Sequence, residues 1–334
     1  MRLSIHDVAR EASLSCETIL EVLTSPSSLE PEVVRFVMQT IRKSGYLDTF
    51  LPWKKRSDPS SIAILTAGVD SASTTEIFKG IDRVMQSLGL ATSTLIFPTR
   101  VSPKGREDLL DNLLRFRMIS AVLMVNLTPT VEMVQKYSSL GKPLVLIQTT
   151  VPGAQSVLLE NQKGMAIAVN YLFRAGHRRI ALINGTAAGR EPGVIASERL
   201  MGYVNALQRL GLEFEESLVF EVKDYFSEEG AKGFEYFSSQ DELPDAVICG
   251  SGDMSALGFI EAARQHGLRI PDDIAVMGYD DLPIARLVHP GLTTIRQRLM
   301  IAGAGGLVLA LEAAANGTGQ NLVIMPELIE RGSA

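Results

Sequence analysis

Glu17 and Glu21 stand four residues apart, and no Lys or Arg occurs between Arg10 and Arg35. On a helix, such a pair shares one face, so two carboxylates project side by side. A carboxylate repels a phosphate, but it can accept a hydrogen bond from the N4 amino group of cytosine in a major groove. Ser15 and Thr18 are hydroxyl donors of the kind that meet backbone phosphates. Residues 1–60 hold eight basic and eight acidic side chains, so the net charge of −6 lies beyond them. Sequence-independent affinity for DNA comes mainly from Lys and Arg. A neutral segment therefore binds random DNA weakly and with a shallow salt dependence. The compact basic run Lys54-Lys55-Arg56 could lie along phosphates, although such runs are more often merely solvated.

The elements that would position these groups are legible. Ser4 with Asp7 three residues on is a capping arrangement, and Ile5, Val8, Ala9 and Ala12 follow at helical spacing. Ser15 suits the N-cap of a second helix whose apolar face is Ile19, Val22 and Leu23. Pro31 can open a third helix, with Val34, Val37, Met38 and Ile41 as its stripe and Gly45 at its end. The spacing predicts a small all-α helix-turn-helix head over residues 1–46. Spacing alone leaves it open whether such a bundle reads DNA or only supports something else. Residues 47–60 follow as a linker marked by Pro52, Pro59 and small polar residues. Pro52 argues against a helix interior there.

Beyond residue 60, apolar runs alternate with helical stretches. Strands are expected at 62–65, 121–125, 143–147, 179–183, 246–249 and 274–277, with helices at 77–88, 165–174, 200–210 and 256–266. Continuous apolar strands between helices mean parallel sheets covered on both faces. The number of units predicts a two-lobed α/β body over 61–331. Its first lobe takes about 61–160 plus 296–319, and its second about 161–290 plus 320–331. Ligands in this architecture bind beyond the carboxyl ends of strands, where Gly68, Asn126, Asn184-Gly185, Gly250-Ser251-Gly252 and Gly278 stand.

Other chemistries find little support. The chain has no GxxxxGK[ST] or HExxH run, its four histidines are scattered, and no Cys/His cluster suggests a metal. No cofactor is implied and no enzyme is expected. Gly303-Ala304-Gly305-Gly306 reads as a site of close helix packing. With two cysteines, a disulfide is not expected: Cys249 reads as a small core residue and Cys16 as an exposed thiol on the second helix. No apolar run of membrane-spanning length and no signal peptide is expected, which fits a cytoplasmic protein with no membrane partner.

Several stretches resemble the lac repressor (LacI/GalR) family over nearly the whole chain. They include residues 5–12, Gly45-Tyr46, Gly176-His177-Arg178-Arg179-Ile180, Glu198-Arg199-Leu200-Met201-Gly202-Tyr203, Phe226-Ser227-Glu228-Glu229-Gly230, residues 267–274, Gly278-Tyr279-Asp280-Asp281 and residues 292–295. The resemblance implies a homodimer whose heads bind a pseudo-palindromic operator. It also implies a body of the periplasmic-binding-protein type I kind, closing on a small effector, a sugar or sugar derivative. The expected function is an effector-responsive transcription regulator, a repressor of carbohydrate-related genes. A second reading stays open, a sugar-binding module whose altered head meets a protein instead of DNA. The resemblance places Ser4, Ser15, Cys16, Glu17, Thr18, Glu21, Tyr46, Lys54, Lys55 and Arg56 toward DNA. It places Arg199, Asp280, Asp253, Phe226, Gln148 and Ser71 toward the effector. Most members carry basic or amide residues where Cys16, Glu17 and Glu21 stand. Ser71-Ala72-Ser73-Thr74 replaces an aromatic turn, and Gln148 stands where an acid is frequent.

Overall fold

A computed structural model describes residues 3–54, 60–99, 102–186 and 193–334. The chain opens with α1 (Ile5–Ala12), α2 (Cys16–Thr24) and α3 (Pro31–Lys43). The Ser4 hydroxyl accepts from the Asp7 N–H while the Asp7 carboxylate accepts from the Ser4 N–H at 2.9 Å, a complete capping box. Ser15 caps α2 by accepting from the Thr18 N–H at 3.1 Å. Gly45, at φ 72, turns the chain after α3 into a 3-10 turn over Tyr46–Phe50. A short helix α4 (Leu51–Lys54) follows. The linker is thus more helical than Pro52 led us to expect. Proline is tolerated in a first turn, where its missing N–H has no partner to lose. Lys55 and Arg56 lie outside the described residues, and of Lys54 only the backbone is described.

The body alternates strands and helices. It begins with β1 (Ser60–Thr66), α5 (Ala72–Leu88), β2 (Thr92–Pro98), α6 (Pro103–Arg115), β3 (Ile119–Val125), α7 (Val131–Ser139), β4 (Leu144–Ile147) and β5 (Gln155–Leu159). Then come α8 (Asn161–Ala175), β6 (Ile180–Gly185), α9 (Val194–Arg209), β7 (Val219–Val222), α10 (Ser227–Ser238), β8 (Ala246–Cys249), α11 (Asp253–Gln265), β9 (Ala275–Asp280) and β10 (Thr293–Arg296). The chain ends with α12 (Leu299–Asn316), β11 (Leu322–Ile324) and β12 (Glu327–Ile329). Two six-stranded sheets result, ordered β11-β5-β4-β3-β1-β2 and β12-β10-β9-β8-β6-β7. β12 runs antiparallel to β10, while β1–β4 and β6–β10 pair in parallel.

Two compact units follow, residues 1–158 with 299–324 and residues 159–298 with 325–334. The last crossing falls five residues later than the expected one at 319/320, because β11 joins the first sheet and only β12 the second. The head forms no unit of its own. It belongs to the first, where α2 packs on α5 and α12. Helix α12 also corrects the expectation about apolar length, since Leu299–Asn316 is long and apolar enough to cross a membrane by composition alone. Its apolarity has another cause. It is mostly buried, enclosed by β3, β4, α5 and α2, and a helix enclosed on all sides is apolar on all sides. Its glycines let α5 approach. A Cβ on Gly303 would overlap the Ile77 carbonyl, and one on Gly80 would overlap that of Met300.

Candidate functional site

In the second unit, β6, β8 and β9 end at one edge of the sheet, and a polar cluster gathers there. Arg199 of α9 is buried at its centre. Its Nε donates to Asn161 Oδ1 at 3.1 Å, its Nη2 to Gln297 Oε1 at 3.0 Å, and its Nη1 to the Gly250 carbonyl. The guanidinium carbon lies 4.1 Å from the centre of the Tyr279 ring, a cation–π geometry. Gln297 Nε2 donates to the same Asn161 oxygen at 3.0 Å, and Asn161 Nδ2 donates to Glu198 Oε2 at 2.9 Å. Burial raises the Glu198 carboxyl above its ordinary value.

Asp280 closes the cluster. Its carboxylate Oδ1 lies 3.8 Å from Arg199 Nη2, and both side chains are nearly enclosed. That oxygen is buried and has no hydrogen-bond partner. Burial pushes the carboxyl up to about 6, and Arg199 opposes the shift. The backbone holds φ at 107 here, in the region that favours glycine. Two further buried acceptors without partners stand at the same strand ends, Asn184 Oδ1 in the last two residues of β6 and Ser251 Oγ after β8. A Cβ on Gly250 would lie 3.5 Å from Asn184 Oδ1, and one on Gly252 would lie 3.3 Å from Asp280 Oδ2, which joins the three positions into one patch. Buried acceptors without donors are costly in a closed protein. They are suited to a guest that brings several O–H or N–H groups.

Asp253 must be reassigned. It opens α11 after Gly252, whose φ is 118, and it is fully buried. Its Oδ1 accepts from Thr294 Oγ1 and its Oδ2 from the Leu282 N–H, each at 2.6 Å. Both oxygens are used within the protein, so Asp253 fastens β10 and the segment after β9 to α11. Burial, then the nearby Asp280, raises its carboxyl well above the ordinary range. Phe226 is 39% exposed at the start of α10. Ser71 and Gln148 belong to the first unit. The Ser71 hydroxyl meets that of Ser73 at 2.8 Å. Gln148, buried after β4 at φ 71, stands near the end of the sheet edge that also carries Asn126, whose buried Oδ1 has no partner.

The expected DNA-facing residues are spread differently. Ser4 and Ser15 act as helix caps. Thr18 meets the Ser15 hydroxyl at 3.0 Å, and Glu21 accepts from the Ser28 hydroxyl at 2.8 Å. Cys16, expected as an exposed thiol, is half-buried, and burial together with Glu312 and Glu17 pushes it up to about 11. Tyr46 lies inside rather than on a surface, because its hydroxyl donates to the buried Glu312 Oε1 at 2.6 Å.

Comparison with known proteins bears on this architecture. Residues 169–334 match the model of a periplasmic binding protein-like domain. The HTH-type transcriptional repressor CytR of Escherichia coli (strain K12) is 27% identical over 99% of this chain and 96% of its own length. Catabolite control protein A of Priestia megaterium is 27% identical over 91% of this chain and 90% of its own. The likeness to CytR runs through the head as well as both units. The chain is similar to LacI-family repressors over nearly its whole length. A LacI-family regulator from Lactobacillus casei with bound sucrose superposes with a TM-score of 0.69 at 27% identity, covering 82% of this chain and all of that one. The regulator CelR in complex with cellobiose gives a TM-score of 0.70 over the full length of both chains at 24% identity. Arg199 and Asp280, which the resemblance places toward an effector, lie 3.8 Å apart. Asn184 and Ser251 are among the strand-end residues to which the sequence points, whereas Asn161 and Gln297 have no local signal that marks them.

Proposed function

We propose that this protein is a repressor that recognises operator DNA through its head and changes its DNA affinity when a small polyhydroxy ligand binds at the Arg199–Asp280 cluster. The observation that carries the ligand assignment is the buried, partnerless Asp280 oxygen beside Arg199. A carboxylate in that setting accepts strong hydrogen bonds from hydroxyl groups. Asn184 and Ser251 add acceptors at the same edge, so several adjacent hydroxyls on one ring would meet several partners. A sugar or sugar derivative fits this chemistry, and carbohydrate-related genes are the matching targets. The sucrose and cellobiose named with two structural neighbours agree with that class. A homodimer on a pseudo-palindromic site is the assembly this reading requires, since two-fold operators mirror two-fold proteins.

The test is calorimetry with a panel of mono- and disaccharides and nucleosides, on wild type and Asp280→Asn. Binding of at least one polyhydroxy compound, lost in the variant, supports the reading. Undiminished binding in the variant removes Asp280 from the site.

A further inference from the structure

Helix α2 has nine residues and none of them is exposed. A helix on the surface of a small bundle buries one stripe and leaves the rest to water. Helix α3 obeys that rule, with Glu32, Arg35, Gln39 and Arg42 exposed. Helix α2 is covered twice, by α1 and α3 on one side and by α5 and α12 on the other. Leu20 serves the second side. It is 0% exposed, and its Cδ1 stands 3.4 Å from where a Cβ on Gly305 of α12 would be. It also falls between Glu17 and Glu21 in sequence, on a helix that a DNA reader would keep polar outside its core stripe.

A second contact lies one element away. Glu312 of α12 is buried, and its Oε1 accepts from the Ile5 backbone N–H and from the Tyr46 hydroxyl, each at 2.6 Å. The Ile5 N–H is one of the donors that a helix start leaves without an internal partner, so the carboxylate takes the place of a cap at the positive end of α1. His6 Nε2 adds a contact to the Asn321 carbonyl at 3.2 Å. Cys16 feels the Glu312 charge from α2 itself.

We propose that the head of the DNA-free protein is latched shut. Leu20 holds α2 against α12, and Glu312 holds α1 and Tyr46 to the same helix, so Leu20 is taken up by the chain's own first unit and Cys16, Glu17, Thr18 and Glu21 stay half-buried. DNA is read only from a released state. The inference rests on the DNA-reading function above and adds an autoinhibitory equilibrium to it. Apparent operator affinity is then lower than the intrinsic one by the released fraction.

Two readouts separate the latch from the DNA function. The first uses no DNA: the rate at which Cys16 reacts with a disulfide reagent such as DTNB, in wild type and Leu20→Ser at one pH. Cys249 is fully buried and stays silent. Leu20→Ser should react at least about tenfold faster, since thiol reactivity follows exposure and thiolate fraction. The second is affinity for an operator obtained by selection from random DNA. Glu312→Ala, which alters the body and no DNA-facing residue, should bind about tenfold tighter than wild type. Glu312→Gln keeps the acceptor oxygen and should match wild type in DNA affinity, with a single cooperative unfolding transition as the check on folding. Equal Cys16 rates in wild type and Leu20→Ser would overturn the latch. So would equal DNA affinities of wild type and a folded Glu312→Ala. Faster labelling with no DNA bound by any form would leave the latch standing and sink the DNA reading instead.

Discussion

Replacing Asp280 by Asn keeps the shape of the side chain and removes its charge, and the structure sets the size of both consequences. Burial raises this carboxyl from 3.8 to about 6. An acid raised on folding binds its proton more tightly in the folded protein, so the folded state loses stability as pH climbs from about 4 to 6 and carries the full cost above that. The cost is up to about 3 kcal/mol at neutral pH. Asp280→Asn should therefore be more stable than wild type at pH 7.5, by as much as that figure, and equally stable near pH 4. Ligand binding should move the other way. A hydrogen bond to a charged acceptor is worth about 1.5–3 kcal/mol, so the variant should lose about tenfold to a hundredfold in affinity. Wild-type affinity should fall below pH 6 as the acceptor is protonated, and the variant should show no such fall. Urea unfolding at the two pH values and calorimetry from pH 5 to 8 measure these effects. A variant less stable than wild type at pH 7.5, or one with full affinity, refutes the reasoning.

Other outcomes follow from the same geometry. Arg199→Ala leaves Gln297 Oε1 and the Gly250 carbonyl without their donor, removes one of the two donors to Asn161 Oδ1 and strips Asp280 of its cation, and should cost about 3–5 kcal/mol in urea unfolding. Arg199→Lys should recover little of it, because an ammonium cannot match the planar fork. Gly303→Ala places a methyl group on the Ile77 carbonyl and should cost about 1–3 kcal/mol or more, read as a lowered melting temperature. Burial raises Glu312 to about 7, with Asp7 adding to the shift and the Tyr46 and Ile5 hydrogen bonds opposing it. Stability is lost as pH rises from about 4.5 to 7. Glu312→Gln should therefore raise the melting temperature at pH 8 and leave it unchanged at pH 4, and a variant that melts lower at pH 8 contradicts this account.

The head's three helices were legible because local signals agree: Ser4 with Asp7, Ser15, Pro31 and Gly45 each sit where the structure uses them. The central strands were legible from unbroken apolar runs such as Val122-Leu123-Met124-Val125, all buried. β2 escaped because it is an edge strand, and Thr92–Pro98 mixes exposed and half-buried residues with no clean period. β11 and β12 are three residues each, too short to show a pattern. Arg199 and Asp280 were reached through family motifs, not through spacing. Their partners Asn161 and Gln297 are separated by 136 positions, and nothing local announces that pairing. Leu20 carried a usable signal, since it lies off the Ile19–Val22–Leu23 stripe that faces the head's core. An apolar residue outside its own core stripe needs another surface to bury it, and α12 supplies that surface.

The central claim is that occupancy of the Asp280 cluster sets operator affinity. Fluorescence anisotropy of a selected operator, titrated with protein in the presence and absence of a saturating polyhydroxy ligand, tests it directly. Couplings of this kind amount to about 5–150-fold, so wild-type affinity should shift by at least fivefold and the Asp280→Asn curve should not move. Superimposable wild-type curves with a ligand that calorimetry shows to be bound would contradict the account.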